Sequence, residues 1–288
     1  MEAHVASDAP TTEPCDLCGS PKYLPLFEKN GYGLFMCESC RLVITHPRPT
    51  ADDLQQPYTT GQVGAGSPKG DEEEYQRYAD RYRPFLELVR QHSRPGRILD
   101  VGCWNGQFLN QLGQEWESYA VELSESASAF AREHYGLNVV TGTIHDLPYP
   151  RGYFDVVTPW DIIEHVPRPR TDFQKAVDLV RPQGLVFVST PDFECFESKF
   201  MGRKWPVITP PGHLTYFTKS TIVRLFDLAG LELVSWQRTD MPGYLPKFEI
   251  PRIGSPIQNR FVYFATKHLR LRLGSTMKIV GRKPSGGQ

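Results

Sequence analysis

Short apolar runs alternate with polar or amphipathic stretches through the middle of the chain. The runs at 98–101, 116–121, 138–141 and 154–158 have the length and the apolar content of buried strands. An amphipathic stretch at 127–135 predicts a helix between the second and the third of them. Strands that alternate with helices in this way predict an α/β fold with a mostly parallel sheet.

The flanking regions add further elements to this pattern. Residues 71–92 begin with acidic residues and then repeat apolar side chains on one helical face, which predicts a long helix that Pro84 bends. Residues 193–216 are aromatic and loop-rich, which favours a lid or a pocket over 193–218. A helix at 220–229, a strand at 231–237, a loop at 240–254, a helix at 256–273 and a strand at 275–281 follow.

A glycine turn joins the first of these strands to a helix that begins near Gln107. The turn reads Asp100-x-Gly102-x-x-x-Gly106, so it does not have the G-x-G-x-x-G spacing of a dinucleotide site. Such a turn aims backbone N–H groups into a crevice at the carboxyl edge of the sheet. A pyrophosphate would be repelled by Asp100, whereas the ammonium group of an amino-acid ligand would be attracted.

This turn resembles the first motif of the class I S-adenosylmethionine (SAM) dependent methyltransferases, which runs acid-x-Gly-x-Gly-x-Gly. Trp104 stands where that family has its middle glycine, and a bulky side chain there predicts a backbone without positive φ. Glu122 ends the next predicted strand, where the family uses an acid to bind the ribose hydroxyls.

Later motifs resemble one branch of that family. Phe154-Asp-Val-Val-Thr158, the Glu164-His-Val166 segment and Pro211-Gly-His-Leu-Thr-Tyr-Phe217 resemble the ubiquinone-biosynthesis O-methyltransferases and natural-product methyltransferases. The resemblance implies a Rossmann-like, seven-stranded, mostly parallel sheet flanked by helices, with an antiparallel strand near the C-terminus. It also implies that SAM binds and that S-adenosylhomocysteine is the product. The implied cofactor contacts are Asp100, Gly102, Cys103, Gly106, Glu122, Leu123, Thr143, Ile144, His145 and Trp160.

Four of the six cysteines form a second motif near the N-terminus. Cys15-x-x-Cys18 and Cys37-x-x-Cys40 have 18 residues between them, a spacing typical of a four-cysteine zinc site. Two disulfides or a redox C-x-x-C pair are the alternatives, and an intracellular chain disfavours disulfides. The spacing therefore predicts a small zinc-ribbon-like module in which zinc has a structural role.

Composition limits the protein class and the partners. The chain has 288 residues, of which 40% are hydrophobic and 23% charged, and its formal net charge is −1, which predicts a globular protein without a general attraction to nucleic acid. It has no apolar run long enough to span a membrane and no secretory signal at its start, so we expect a cytoplasmic protein. We predict a disordered tail at 1–13, the zinc-binding module at 14–50, a linker and a cofactor-covering helix at 51–95, and the methyltransferase domain at 96–288.

The resemblance implies methyl transfer from SAM to an O, N or C nucleophile of a small molecule. We expect a secondary metabolite, or a quinone, lipid or sugar precursor. A hydroxyl acceptor would need a base, and His165 and His213 are the candidates, with His165 preferred. A structural role for His165, in which its ring bonds to the backbone, is equally compatible with the sequence. Asp161 and Tyr216 are further polar candidates for the pocket.

Two other functions stay open. One is a non-catalytic SAM-binding scaffold whose zinc module recruits a partner. The other is a nucleic-acid methyltransferase, which the scarcity of basic residues between Cys15 and Cys40 disfavours. The oligomeric state, monomer or homodimer, also stays open.

Overall fold

The computed structural model describes residues 13–49, 72–239 and 274–285, and in the first helix it describes side chains from Asp80 onwards. The predictions made for 1–12, 50–71 and 240–273 lie outside the described residues. No helix in the described part of the chain is long and apolar enough to cross a membrane.

The elements of the large sheet follow each other as strand, helix and strand. The strands are β4 (Arg97–Val101), β5 (Glu117–Glu122), β6 (Asn138–Thr141), β7 (Phe154–Thr158), β8 (Val180–Pro191), β10 (Glu232–Thr239) and β11 (Thr276–Arg282). The helices are α1 (Glu72–His92), α2 (Gln107–Leu112), α3 (Glu125–Tyr135), α4 (Pro169–Leu179) and α6 (Lys219–Leu228). Most predicted bounds are within one or two residues of these.

The seven strands lie in the order β10-β11-β8-β7-β4-β5-β6. The pairs β8/β7, β7/β4, β4/β5 and β5/β6 are parallel, whereas β11 runs antiparallel to β8 and to β10. This arrangement confirms the predicted Rossmann-like sheet with its antiparallel strand near the C-terminus. The parallel strands all end at one edge, and the candidate site residues lie there.

Both faces of the sheet are covered by helices. Successive strand residues point to opposite sides, so each strand contributes side chains to a core on each face. On one face, Ile98 and Val156 pack with Phe85 of α1 and Phe108 of α2. On the other face, side chains of the same strands pack with α4 and α6; this second core includes Leu99, Val157, Phe173, Ala176, Ile222 and Phe226. From Asp80 onwards, the apolar face predicted for α1 therefore packs against the sheet.

A second, four-stranded sheet contains the N-terminal residues. Its strands are β1 (Tyr23–Lys29), β2 (Tyr32–Cys37), β3 (Val43–His46) and β9 (Thr215–Tyr216), in the order β1-β2-β3-β9. β9 belongs to the lid segment, which we define as residues 193–218 and which also contains α5 (Phe196–Met201). The N-terminal module, defined here as residues 13–49, is thus joined to the lid segment by strand pairing.

Candidate active site

Asp100 is a buried carboxylate at the carboxyl end of β4. Its side chain is 3% exposed, and its Oδ1 accepts a hydrogen bond from the hydroxyl of Thr158 at 2.7 Å. Burial raises the pKa of Asp100 to about 8, and the negative charge of Glu122 adds to this, while the Thr158 bond opposes it. A carboxylate in this position would be stabilised by a cationic ligand.

Glu122, at the end of β5, holds the glycine turn in place. Its Oε2 accepts from the backbone N–H of Trp104 and its Oε1 from that of Ser124, both at 2.8 Å. Each carboxylate oxygen can still accept a further hydrogen bond. The residue is 7% exposed, and burial raises its pKa, while the hydrogen bonds that Glu122 accepts lower it.

The backbone prediction for Trp104 was wrong. Its φ is +49°, in the left-handed region. A non-glycine residue adopts this conformation at a modest energetic cost when the surroundings fix it. The hydrogen bond from its N–H to Glu122 is one such fixed contact. The turn therefore keeps a glycine-like conformation although the middle glycine is replaced.

Gly102 and Gly106 are required by close packing as well as by their positive φ values. A Cβ on Gly102 would lie 2.2 Å from Cδ1 of Ile162, and a Cβ on Gly106 would lie 2.5 Å from Cδ1 of Leu137. The turn is therefore packed between the segment after β7 and the segment after α3.

The other residues proposed to contact the cofactor occupy different environments. Leu123 is 41% exposed beside Glu122, as an apolar wall for an adenine would be. Ile144 is buried, whereas the exposed His145 ring lies 2.6 Å from the carboxylate of Asp172 on α4. Thr143 caps the short helix 144–146 with its hydroxyl.

Trp160 and Cys103 belong to the core around α1 and α2. The Trp160 ring lies 4.6 Å from Phe85 and 5.7 Å from Phe108, and its buried indole N–H has no hydrogen-bond partner among the described residues. Burial raises the pKa of the Cys103 thiol well above its ordinary value. The thiol is therefore protonated at neutral pH and is a poor nucleophile.

The structure brings the two candidate catalytic histidines together. The ring centroids of His165 and His213 are 4.6 Å apart, although the residues come from the segment after β7 and from the lid segment. Nδ1 of His165 lies 2.8 Å from the carbonyl oxygen of Gly212, so Nδ1 carries the proton and Nε2 is the free acceptor. Burial lowers the pKa of both histidines, that of His213 to about 3, so both rings are neutral at pH 7.

Glu164 completes a group of three side chains that could ligate a metal ion. One ligand atom from each of Glu164, His165 and His213 lies within 4.8 Å of the others. Burial, with the nearby negative charge of Asp161, raises the pKa of Glu164 well above its ordinary value, and its Oε2 accepts from the hydroxyl of Thr190 at 3.0 Å. Two imidazoles and a carboxylate could hold a divalent cation.

The four cysteines of the N-terminal module also converge. The Sγ atoms of Cys15 and Cys40 are 3.5 Å apart, as are those of Cys18 and Cys37, and all four lie within 4.8 Å of one another. A tetrahedral zinc with Zn–S bonds of about 2.3 Å separates its sulfurs by roughly 3.8 Å. These separations are far too long for disulfides, whose S–S bond is about 2.05 Å. The four thiols could therefore hold one zinc ion.

Sequence reasoning missed several groups at this edge of the sheet. Thr158, which bonds Asp100, is one. Ser189 on β8 is another, because its hydroxyl donates to Oδ1 of Asp161 at 2.6 Å and also accepts from the Asp161 N–H. Thr158 stands at the carboxyl end of a predicted strand, and Ser189 stands near the carboxyl end of β8. That position was the only signal available for them.

The family of the chain follows from a comparison with known protein families. A family model described as a methyltransferase domain matches residues 72–236, which is more than half of the chain and includes β4 to β8. The chain belongs to this methyltransferase family. The matched region contains Asp100, Glu122, His165 and His213, and the N-terminal module lies before it.

Curated relatives are similar to part of this chain. A ubiquinone biosynthesis O-methyltransferase from Azoarcus sp. (strain BH72) is 32% identical over 153 residues, which cover 48% of this chain and 65% of that protein. The chain therefore spans less than two thirds of that relative.

Solved structures share the fold. A SAM-dependent methyltransferase from Thermotoga maritima has a TM-score of 0.54 at 19% identity, with 81% of this chain and 99% of that chain covered. The 1,6-didemethyltoxoflavin-N1-methyltransferase from Burkholderia thailandensis, solved with S-adenosylhomocysteine, has a TM-score of 0.52 at 17% identity, with 90% and 99% covered. At these identities the similarity shows the fold alone.

Proposed function

We propose that this protein is an enzyme that transfers the methyl group of SAM to a nucleophile of a small molecule. The observation that carries the proposal is the pair of buried carboxylates, Asp100 and Glu122, on either side of the glycine turn in a methyltransferase-family domain. SAM supplies a methyl group that its positively charged sulfur already activates.

The residues at the edge of the sheet fit SAM in its polar groups. Asp100 would accept a hydrogen bond from the ammonium group of SAM. Among the described residues this buried carboxylate is bonded only to the neutral Thr158 hydroxyl, so the ammonium group would supply the positive charge that stabilises its ionised form. Glu122 would accept hydrogen bonds from the ribose hydroxyls in addition to those from the N–H groups that it already binds. Leu123 and the loop at Thr143 and Ile144 would flank the adenine.

We propose His165 as the base when the acceptor is a hydroxyl. Its Nδ1–H is bound to the carbonyl of Gly212, which orients the ring and leaves Nε2 unprotonated. Its neutral state at pH 7 suits proton abstraction. His213 is the weaker base, because burial and the neighbouring His165 lower its pKa to about 3.

A divalent cation held by Glu164, His165 and His213 is a second candidate for activating the acceptor. The grouping of their ligand atoms within 4.8 Å favours it. A bound cation would lower the pKa of an acceptor hydroxyl and stabilise the alkoxide or phenolate. In that case turnover would fall after an EDTA treatment that leaves the zinc content of the four-cysteine site unchanged, and it would return with added Mn²⁺. A His165 base would be insensitive to both treatments.

The acceptor is proposed to be a hydroxylated aromatic molecule. The lid segment contributes Phe193 and Tyr216, whose ring centroids are 5.6 Å apart, and the Tyr216 ring centroid lies 6.0 Å from that of His213. The Azoarcus relative is named as an O-methyltransferase, which supports an oxygen nucleophile. We further propose that one structural zinc ion is bound by Cys15, Cys18, Cys37 and Cys40.

The test is methyl transfer from isotopically labelled SAM to a panel of catechols and phenols, together with SAM affinity by calorimetry. We expect a labelled product and S-adenosylhomocysteine, and we expect His165→Ala to reduce turnover more than SAM affinity. His134 on α3 provides a control. Its ring stacks on Phe130 with the ring centroids 4.5 Å apart, and His134→Ala removes an imidazole that is not part of the proposed site. SAM binding without turnover on this panel would contradict the hydroxylated aromatic acceptor, and the same result with added amine and carbon nucleophiles would favour the scaffold function. Absence of SAM binding would refute the proposal.

A further inference from the structure

The inner end of the lid segment is held between two parts of the molecule. On one side, the N–H groups of Leu214 and Thr215 donate to the carbonyl of Glu164 at 2.8 and 3.1 Å, and His165 donates to the carbonyl of Gly212. These contacts attach residues 212–215 to the segment that carries the proposed base.

On the other side, the same residues are held by the N-terminal module. Thr45 of β3 donates twice: its N–H to the carbonyl of Leu214 at 2.9 Å, and its hydroxyl to the carbonyl of His213 at 2.8 Å. Arg48 also donates to the Leu214 carbonyl at 3.2 Å. The strand pairing of β3 with β9 continues this attachment through Ile44↔Thr215 and Val43↔Tyr216.

Two further contacts attach the module to the lid segment further out. Lys29 donates to the carbonyl of Trp205 at 3.2 Å, and Asn30 donates to that of Pro210 at 3.0 Å. The module therefore holds the lid segment at several points along its length, and Thr45 is the point at which a side chain binds the carbonyl of His213 itself.

We infer that the N-terminal module positions the His213 side of the active site, with Thr45 as the positioning residue. The hydroxyl of Thr45 fixes the peptide that carries His213, and this peptide sets the direction of a ring that lies 4.6 Å from His165. Thr45 is fully buried, so no water replaces a lost hydroxyl contact cheaply. The inference rests on the proposed function only in giving the two histidines a role in turnover.

The chain contains a matched control one strand away. Thr215 on β9 is also fully buried, and its hydroxyl has no hydrogen-bond partner among the described residues. Thr45→Val and Thr215→Val make the same chemical change in adjacent strands and leave every backbone hydrogen bond possible. Only the first removes a contact to the peptide of His213. Thr45→Ser restores the hydroxyl without the methyl group.

The test compares the full-length protein and these three variants by imidazole NMR of ¹⁵N-labelled histidine and by hydrogen exchange of the peptide containing Leu214. We expect Thr45→Val to shift the His213 signal and to speed exchange, Thr45→Ser to restore both, and Thr215→Val to leave both unchanged. SAM affinity should stay within twofold throughout. With an acceptor from the panel, kcat should fall roughly tenfold in Thr45→Val at constant KM.

The outcomes separate this inference from the proposed function. A displaced His213 signal with unchanged kcat would support the positioning role and would remove His213 from the reaction. A Thr45→Val protein that matches Thr215→Val in both the NMR signal and hydrogen exchange would overturn the inference, whether or not the protein is active.

Discussion

Replacing Asp100 by Asn should change the stability of the ligand-free protein and its affinity for SAM in opposite directions. The carboxylate is buried and bonded to Thr158, and burial raises its pKa from 3.8 to about 8. Because the folded-state pKa is above the unfolded-state value, this group stabilises the fold fully below about pH 4, and this contribution is lost as the pH rises through 8. Asn removes this dependence and keeps an oxygen that can accept from Thr158.

The magnitudes follow from the shift in pKa. At pH 7 the wild-type protein has lost roughly 4 kcal/mol of the stability that it has in acid, at about 1.36 kcal/mol for each pH unit above 3.8. Asp100→Asn should therefore raise the melting temperature of the ligand-free protein at pH 7. SAM binding, in contrast, needs the ionised carboxylate, so SAM affinity should rise about tenfold per pH unit between pH 6 and 7.5 in the wild-type protein.

Calorimetric titration of SAM in two buffers of different ionisation enthalpy measures both effects. The wild-type protein should release close to one proton per SAM bound at pH 7, because the ammonium group favours the ionised form of Asp100. Asp100→Asn should bind SAM about 10- to 100-fold more weakly at pH 7.5, with no proton release from this site. A flat affinity between pH 6 and 7.5, or undiminished affinity in the variant, would refute the assignment of Asp100 to the ammonium group.

Three further predictions test other parts of the account. Glu122→Ala should weaken SAM binding by about 100-fold, because it loses the ribose contacts and the hydrogen bond from the Trp104 N–H. Glu125→Ala, on the exposed side of α3, should leave SAM affinity unchanged. Equal affinities of the two variants in calorimetry would contradict the ribose role of Glu122. Cys15→Ser should lower the zinc content measured by plasma mass spectrometry and should destabilise the N-terminal module. SAM affinity should be retained in this variant. An unchanged zinc content would contradict the four-cysteine site. Gly106→Ala should lower the free energy of unfolding by about 2–4 kcal/mol in urea denaturation, because the added Cβ meets Leu137 and Ala131. Gly136→Ala, where φ is also positive but the space around the Cβ is open, should lower it by only about 1 kcal/mol. Equal losses would show that packing around the turn is not tight.

The sheet could be predicted because its strands are buried on both faces. Such strands appear in the sequence as short apolar runs. Asp100 lies near the end of the run of β4, and Glu122 directly follows the run of β5. The predicted bounds 116–121 and 220–229 differ by only one residue from Glu117–Glu122 and Lys219–Leu228. Local pattern was sufficient for these elements.

The contacts between remote segments could not be predicted in the same way. The pairing of β3 with β9 joins residues about 170 positions apart, and a two-residue strand such as Thr215–Tyr216 has no periodic pattern. The meeting of His165 with His213 depends on equally remote contacts, namely those of the Gly212 carbonyl with His165 and of the Leu214 N–H with the Glu164 carbonyl. The left-handed backbone of Trp104 depends on a hydrogen bond to Glu122, which spacing alone does not reveal.

The central claim is that one chain carries a SAM site and a zinc site, and native mass spectrometry of the purified protein, before and after addition of SAM, tests it most directly. We expect a chain with one zinc ion, together with one SAM or S-adenosylhomocysteine after the addition. We also expect Cys15→Ser to remove only the zinc and Glu122→Ala to remove only the nucleoside. A wild-type chain that carries neither zinc nor nucleoside in the presence of excess SAM would contradict the account.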